Sequence, residues 1–553
     1  MLALKVMIAL VVLHMVGWEM SQEPDLLLAS TNLRHRLDGI KTTQAEVQGL
    51  VDARRGGGAA AAAAAAPEPP AAAAPPPPPP PSPRPTRAPS PRPTAPPRRA
   101  DAEAPPLGGV VLVVMAHDRA ASVRDCLRAC LRSPRAAELL AVAVSMDAPG
   151  AYGDLERAAG TEGAAAGAKV LAWRHGYAPR ADAPKRFAGD ALAKISEHVR
   201  AALAEAFRLP GAEFALLLED DLRVAGDFLD LFAFAAVELR RDDTLWCASA
   251  WNDNAGPASS GFDWRPGVLR RTTYFPGLGW MVGKATFERD FAGAWPAAPT
   301  TGWDHWIRAA TRDGGRECLF PELPRVRHAA TGGSTNVRGS EAAALEKHAF
   351  AGDASAVRAF ELAPSDLAGA VGGAPRVALG DVGNLPRGAA RVLVARLPED
   401  HASLAKRLAL WHTEPRGFAK EGVLVLRRAD DVTLYVADAR KCAWLAPGER
   451  VDRPAAAVDV AARAAGVSCD EACAGRGLRC DARLLVFADA CAALAAHFPC
   501  PAGCGHQLGV ELPAYVTSKA EATAGQCLIA NGGATPTCAA KHRATQRLCV
   551  CVS

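Results

Sequence analysis

Apolar positions along this 553-residue chain change their period several times, and each change predicts an element. Val110–Met115 is an unbroken apolar run that stops at His117-Asp118-Arg119, the pattern of a strand buried on both faces. Val123, Leu127 and Leu131 then recur at helical spacing. "LLAVAVSMD", ending at Asp147, and the run Val170–Trp173 predict a second and a third strand. Leu192, Ile195, Val199, Leu203 and Phe207 line one face of a long helix, and "FALLLEDD" is a further strand closing on three carboxylates. Strands alternating with helices predict a mostly parallel α/β sheet covered on both sides. Ligands in such sheets sit beyond the carboxyl ends of the strands. Three polar groups fall there: His117-Asp118-Arg119, Asp147, and Glu219-Asp220-Asp221. Further on, "ARVLVARLPEDHASLAKRLALWHTEPRGFAKEGVLVLRRADDVTLYVADA" reads as strand, helix, strand, strand and predicts a smaller α+β subdomain.

Composition divides the rest. The first residues, "MLALKVMIALVVLHMVGW", are short of the about 20 apolar residues a spanning helix wants. Two readings fit them, a cleaved secretory signal and an uncleaved signal anchor; the poor cleavage context after Val16 favours the anchor. Leu26, Leu33, Ile40 and Val47 recur every seven residues and could pair two stems into a homodimer. From Gly56 to Leu107 the chain is dominated by alanine and proline, a semi-rigid spacer. Formal net charge is +4, and the clustered Arg84, Arg87, Arg92, Arg98 and Arg99 lie in this spacer, so no nucleic-acid surface is expected. Ten of the fifteen cysteines fall between Cys469 and Cys551, a density suited to an oxidising compartment. The expected divisions are 1–20 membrane anchor, 21–55 helical stem, 56–107 linker, 108–335 nucleotide-sugar domain, 336–455 acceptor-side subdomain and 469–553 disulfide-rich module.

Three adjacent carboxylates repel one another, and a hard divalent cation with phosphate oxygens would offset this. An alternative is that the acids open the next helix, where negative charge is favoured. That helix, "AGDFLDLFAFAAVEL", already carries Asp227 near its start.

"LLLEDDL", "LWCASAWNDN", "FPGLGW", "WDHWIR" and "GRECLFPE" occur in an order and spacing that resembles the β-1,2-N-acetylglucosaminyltransferases of the N-acetylglucosaminyltransferase I type, a family that includes the enzyme extending protein O-mannose. The resemblance covers Val110 to Pro447 and is strongest between Phe214 and Pro324. It implies a GT-A glycosyltransferase fold in the Golgi apparatus, single-pass type II, with its catalytic domain in the lumen. The implied reaction is inverting transfer of GlcNAc from UDP-GlcNAc to the 2-hydroxyl of a terminal α-mannose on an N-glycan, with Mn2+ as cofactor. Protein-linked O-mannose is the alternative acceptor. A catalytically silent carbohydrate-binding protein is a reading from another class, against which the acid triplet and Asp304 speak together. By the same resemblance Asp221 is the Mn2+ ligand and Asp304 the general base. Asp220 supports the ribose and metal, Glu219 the GlcNAc hydroxyls, Asp147 the uracil, and Arg119 and His198 further donor contacts. Leu278, Trp303 and Arg308 resemble sugar-pocket and phosphate-side positions, and Ser334 stands in "ATGGSTNV", which resembles a loop closing over the donor.

Departures from the family pattern are His117 and Ala148, where cysteines are frequent, and His305, where a second acid often follows the base. Cys247 and Cys318 remain, and the resemblance implies that they pair. The tail, with "SCDEACAGRGLRCD" and "HRATQRLCVC", resembles the cysteine-rich module of N-acetylglucosaminyltransferase V. Ten cysteines there allow five bridges of undetermined pairing. A zinc site at Cys500, Cys504 and His506 is the competing reading, and the module's role is open between cross-linking a small core and binding acceptor.

Overall fold

In the computed structural model the described residues are 106–178, 191–256, 261–296, 302–311, 315–328, 345, 347–352, 357, 359–507, 509–530 and 535–553. The expected anchor, stem and Ser334, and all but the last two residues of the linker, lie outside them. Among the described residues no helix is long and apolar enough to cross a membrane.

The first strands and helices follow the expected alternation. They are β1 (Val110–Ala116), α1 (Ala120–Leu131), β2 (Ala141–Met146), α2 (Tyr152–Ala166), β3 (Val170–Arg174), α3 (Ala191–Arg208) and β4 (Phe214–Glu219). A short β5 (Leu222–Val224), α4 (Phe228–Arg241), β6 (Leu245–Ser249), β7 (Val268–Thr272), β8 (Trp280–Gly283), α5 (Trp303–Thr311), β9 (Glu317–Pro321), β10 (Val326–His328) and β11 (Glu361–Leu362) follow. Nine of these strands form one sheet in the order β11-β7-β9-β6-β8-β4-β1-β2-β3. β3, β2, β1 and β4 run parallel, while β8 lies antiparallel between β4 and β6. The result is the mixed, mostly parallel α/β sheet that the sequence predicts.

Burial on both faces explains the apolar runs. Val110, Leu112 and Val114 point into one core with Leu127 of α1, Leu155 of α2 and Phe232 of α4, whereas Val111, Val113 and Met115 point into another with Val199, Leu203 and Phe207 of α3 and Ile307 of α5. Along α3 the buried set is shifted from the expected apolar face. Ala193, Ser196 and His198 are buried, but Leu192 and Ile195 are half-buried, Ile195 because it lines an open cleft.

Strand registers align the polar strand ends. Met115 pairs with Glu219 and Ala116 with Met146, so the residues following β1, β2 and β4 converge at one edge. Cys247 and Cys318 are partners in the β6–β9 register and form a disulfide.

The smaller subdomain is a three-stranded sheet, β12-β14-β13, from β12 (Ala390–Ala395), β13 (Val423–Arg427) and β14 (Thr433–Asp438), with α6 (His401–Leu408) after β12. Its segment 410–418 returns to the main sheet: Asn254 Nδ2 donates to the Arg416 carbonyl at 2.8 Å, and the Trp411 amide donates to Asn254 Oδ1 at 3.0 Å.

The last module builds a sheet on its final strand, Thr545–Val552, beginning with β15 (Val458–Ala461), ahead of the first clustered cysteine. Its ten cysteines pair as Cys469–Cys549, Cys473–Cys551, Cys480–Cys538, Cys491–Cys504 and Cys500–Cys527. With Cys500 and Cys504 both in disulfides, the competing zinc reading falls. At its centre the fully buried Arg547 donates to the carbonyls of Thr537 (2.7 Å) and Ala540 (2.6 Å). One strand of the module, Cys504–Gln507, packs against α5.

Candidate active site

One cavity of about 1090 Å³ opens at the aligned strand ends. Arg119, Asp147, His198, Glu219, Asp220, Asp221, Leu278, Trp303, Asp304 and Arg308 all line it. Of the expected site residues outside the disulfide, Ser334 alone cannot be placed, being outside the described residues.

The acid triplet leaves β4 and turns into β5, which pairs with β10 so that Leu222 faces His328 across the ladder. Asp220 and Asp221 are buried at 4% and 7% exposure. Arg119 reaches across from the end of β1, donating Nη2 to Asp220 Oδ1 and, at 3.3 Å, Nη1 to Asp221 Oδ2. The other two oxygens, Asp220 Oδ2 and Asp221 Oδ1, are buried with no hydrogen-bond partner among the described residues. An orphaned buried carboxylate oxygen is costly. Two of them, on adjacent acids at the mouth of a large cavity, are a donor set that fits a hard divalent cation. Protonation is the other way to reduce the charge. Burial, with the charges of Asp221, Asp304 and Asp220, pushes Glu219 up to about 8, and burial pushes Asp220 up to about 6 against the pull of Arg119.

On a neighbouring wall Asp147 sits between two histidines, 2.7 Å from His117 Nδ1 and 3.3 Å from His198 Nδ1. His198 is buried and its Nε2 lies 2.9 Å from Ser145 Oγ. Burial would raise the Asp147 carboxyl, but the two histidines outweigh it and hold the group below its usual range. His175, 5.5 Å from His198 ring to ring, is lowered by burial and by His198.

Asp304 opens α5 beside Gly302. That glycine has φ +94°, a conformation that disfavours side chains, and a Cβ there would stand 2.9 Å from Asp304 Oδ1. Leu278 is placed in the same manner by "FPGLGW": Gly279 has φ +59°, a Cβ on it would meet Val326 at 3.0 Å, and its carbonyl accepts from the Ala250 amide. Trp303 stacks on Trp280 at 5.8 Å. Arg308 lines the cavity, and its Nη1 donates to Asp304 Oδ2 at 2.6 Å. Asp304 keeps 32% of its side chain exposed to the cleft. Burial raises its carboxyl, but Arg308 and then His305 outweigh this and hold it below the ordinary range, so it is an anion at neutral pH. His305 is lowered chiefly by burial and is neutral there.

The cavity thus brings two adjacent acids with unpartnered oxygens and a separate anionic carboxylate into one space. Residues 93–340 match the sequence model of the GNT-I family. That stretch is a GNT-I family glycosyltransferase domain. A curated relative, alpha-1,3-mannosyl-glycoprotein 2-beta-N-acetylglucosaminyltransferase of Arabidopsis thaliana, is 37% identical over 142 residues, which are 26% of this chain and 30% of that protein. The chain therefore spans under a third of the relative's length in the match. Among solved structures, the mannosyltransferase PcManGT from Pyrobaculum calidifontis, in complex with GDP-Man and Mn2+, is similar at TM-score 0.26 and 18% identity, covering 41% of this chain and 61% of that one. A GNT-I family enzyme implies a sugar donor and a glycan acceptor.

Sequence reasoning did not single out Asp253, Tyr274, Glu414 and Arg416. Tyr274 Oη donates to Glu414 Oε1 at 2.8 Å, and Arg416 donates to both Glu414 (2.9 Å) and Asp253 (2.6 Å). Their partners lie up to 163 residues away in the chain, which no local pattern reveals. The local hints are that Asp253 lies within "LWCASAWNDN" and that Tyr274 directly precedes "FPGLGW".

Proposed function

We propose that this chain transfers GlcNAc from UDP-GlcNAc, with inversion, to the 2-hydroxyl of a terminal α-mannose on an N-glycan. One observation carries the reading: the orphaned oxygens of Asp220 and Asp221 share a cavity with the anionic, partly exposed Asp304.

Asp221, with Asp220 beside it, would hold Mn2+, which when bound supplies Lewis-acid neutralisation of the charge developing on the leaving diphosphate. Arg119 fixes these two acids from behind and carries positive charge toward the same spot. Asp147, oriented by two histidines, offers a carboxylate to the imide N–H of uracil. Glu219 and Leu278 flank the sugar. Asp304 then accepts the proton from the attacking mannose hydroxyl, and its exposure to the cleft gives that hydroxyl access. No covalent enzyme intermediate is needed, since one displacement inverts the anomeric centre. Six disulfides among the described residues support a lumenal location, and the N-terminal apolar run supports a type II anchor in the Golgi membrane.

The test is label transfer from radioactive UDP-GlcNAc to a mannose-terminated N-glycan and to an O-mannosyl peptide, with Mn2+ or with chelator. Transfer to the N-glycan that needs Mn2+, is abolished in Asp221→Ala and falls about 10²–10⁴-fold in Asp304→Asn is expected. Label on the O-mannosyl peptide alone would reassign the acceptor. No transfer to either, or an Asp221→Ala variant with full turnover, would overturn the reading.

A further inference from the structure

Arg308 does not stand alone against Asp304. Its Nε donates to the Phe275 carbonyl at 3.1 Å, and its guanidinium lies 4.9 Å over the Tyr274 ring. A second guanidinium, that of Arg416, lies 4.6 Å from the same ring and 4.4 Å from Trp411. Tyr274 is thus in contact with two cations and is fixed through its hydroxyl to Glu414. Arg416 is anchored by Glu414 and by Asp253, which also accepts from Trp251 Nε1 at 3.1 Å. Glu414 and Arg416 are buried, at 8% and 9% exposure, and belong to the smaller subdomain, whereas Tyr274, Arg308 and Asp304 belong to the main sheet and its helix.

A buried charged cluster is a poor way to gain stability, because desolvation offsets most of the attraction and an apolar contact of similar size does as well. Such clusters do constrain geometry: a planar guanidinium with two carboxylates and two rings has few alternative positions. Asp304 stands at the end of this one. We propose that Glu414 and Arg416 are positioning residues for the candidate base, acting through Tyr274 on Arg308, so that docking of the smaller subdomain sets the geometry of Asp304. The proposal rests on Asp304 being the base.

The groups facing Asp304 are Arg308 and His305 on its own helix and Glu219 at the end of β4; Glu414 and Arg416 face His305. Loosening Arg308 therefore removes the main charge that keeps Asp304 acidic. Two variants test this in the full chain. Tyr274→Phe removes the hydroxyl and keeps the ring, and Arg416→Met removes the cation and keeps much of the volume. In Arg416→Met kcat should fall on the order of 10- to 100-fold, as small misplacements of a catalytic group do. The donor KM should stay within about twofold, and the acid limb of the kcat–pH profile should move up by about one unit as the pairing with Arg308 loosens. Tyr274→Phe should show the same signs, smaller. An unmoved acid limb in both variants, with kcat falling only as the folded fraction falls, would overturn the proposal. Crystal structures of the variants decide it without turnover. Loss of the Arg308–Asp304 contact supports the relay, and an undisturbed pair refutes it, even if the wild type transfers no sugar and the enzymatic reading itself fails.

Discussion

Glu219, Asp220 and Asp221 are tolerable side by side because three separate devices reduce their mutual repulsion. Arg119 pairs with two of them, burial favours a proton on Glu219 up to about pH 8, and the proposed cation would be the third. The second and third compete, and the sign of the competition is testable. An unfolded glutamate has a pKa of about 4.3. Between there and about 8 the folded protein therefore holds a proton that the unfolded chain has lost, and without metal stability falls as pH rises through this window. Asp220, raised to about 6, acts in the same direction. A bound cation favours the anions, so the increase in Tm produced by Mn2+ over chelator should be larger at pH 8 than at pH 5. Equal increases, or a larger one at pH 5, would show that the triplet is not the cation site. Asp304 behaves oppositely: Arg308 holds it below the ordinary carboxylate range, so it is an anion at neutral pH, fixed in place by that pairing.

At the scale of elements, the runs Val110–Met115 and Phe214–Leu218 were legible because a strand buried on both faces has no polar alternation to confuse with anything else. The apolar face of α3 departs from the period at one end: Leu192 and Ile195 fit the helical spacing yet are only half-buried, and Ile195 lines the cleft, which cannot be seen in a period. Asp227 illustrates another limit. It precedes α4 as a negative charge there should, but its side chain makes no cap; it forms a buried ion pair with Arg325, at 2.8 Å and 98 residues away. The β6–β9 disulfide joins strands already in register, closing a loop with a sequence separation of 71 residues. Removing it as the double variant Cys247→Ala/Cys318→Ala should cost about 2–5 kcal/mol in denaturant unfolding. A loss below about 1 kcal/mol would mean that the ladder alone sets the register.

At the scale of the whole molecule, the helix that carries Asp304 is where three units meet. The main sheet packs its Trp306 and Ile307, the smaller subdomain reaches it through Tyr274, and the disulfide-rich module lays Cys504–Gln507 against it. Sequence showed each unit separately but not this convergence, because the contacts join residues far apart in the chain and carry no shared motif. The module's cysteines announced cross-linking without revealing what it would be held against. The central claim is geometric: a cation on the acid triplet and the base Asp304 flank one anomeric carbon. A crystal structure of the chain with Mn2+ and UDP-GlcNAc, with manganese located by anomalous scattering, tests it most directly. The account predicts a manganese peak on Asp221 and the Asp304 carboxylate on the face of the anomeric carbon away from UDP. A peak elsewhere, or Asp304 on the same side as the leaving group, would contradict it.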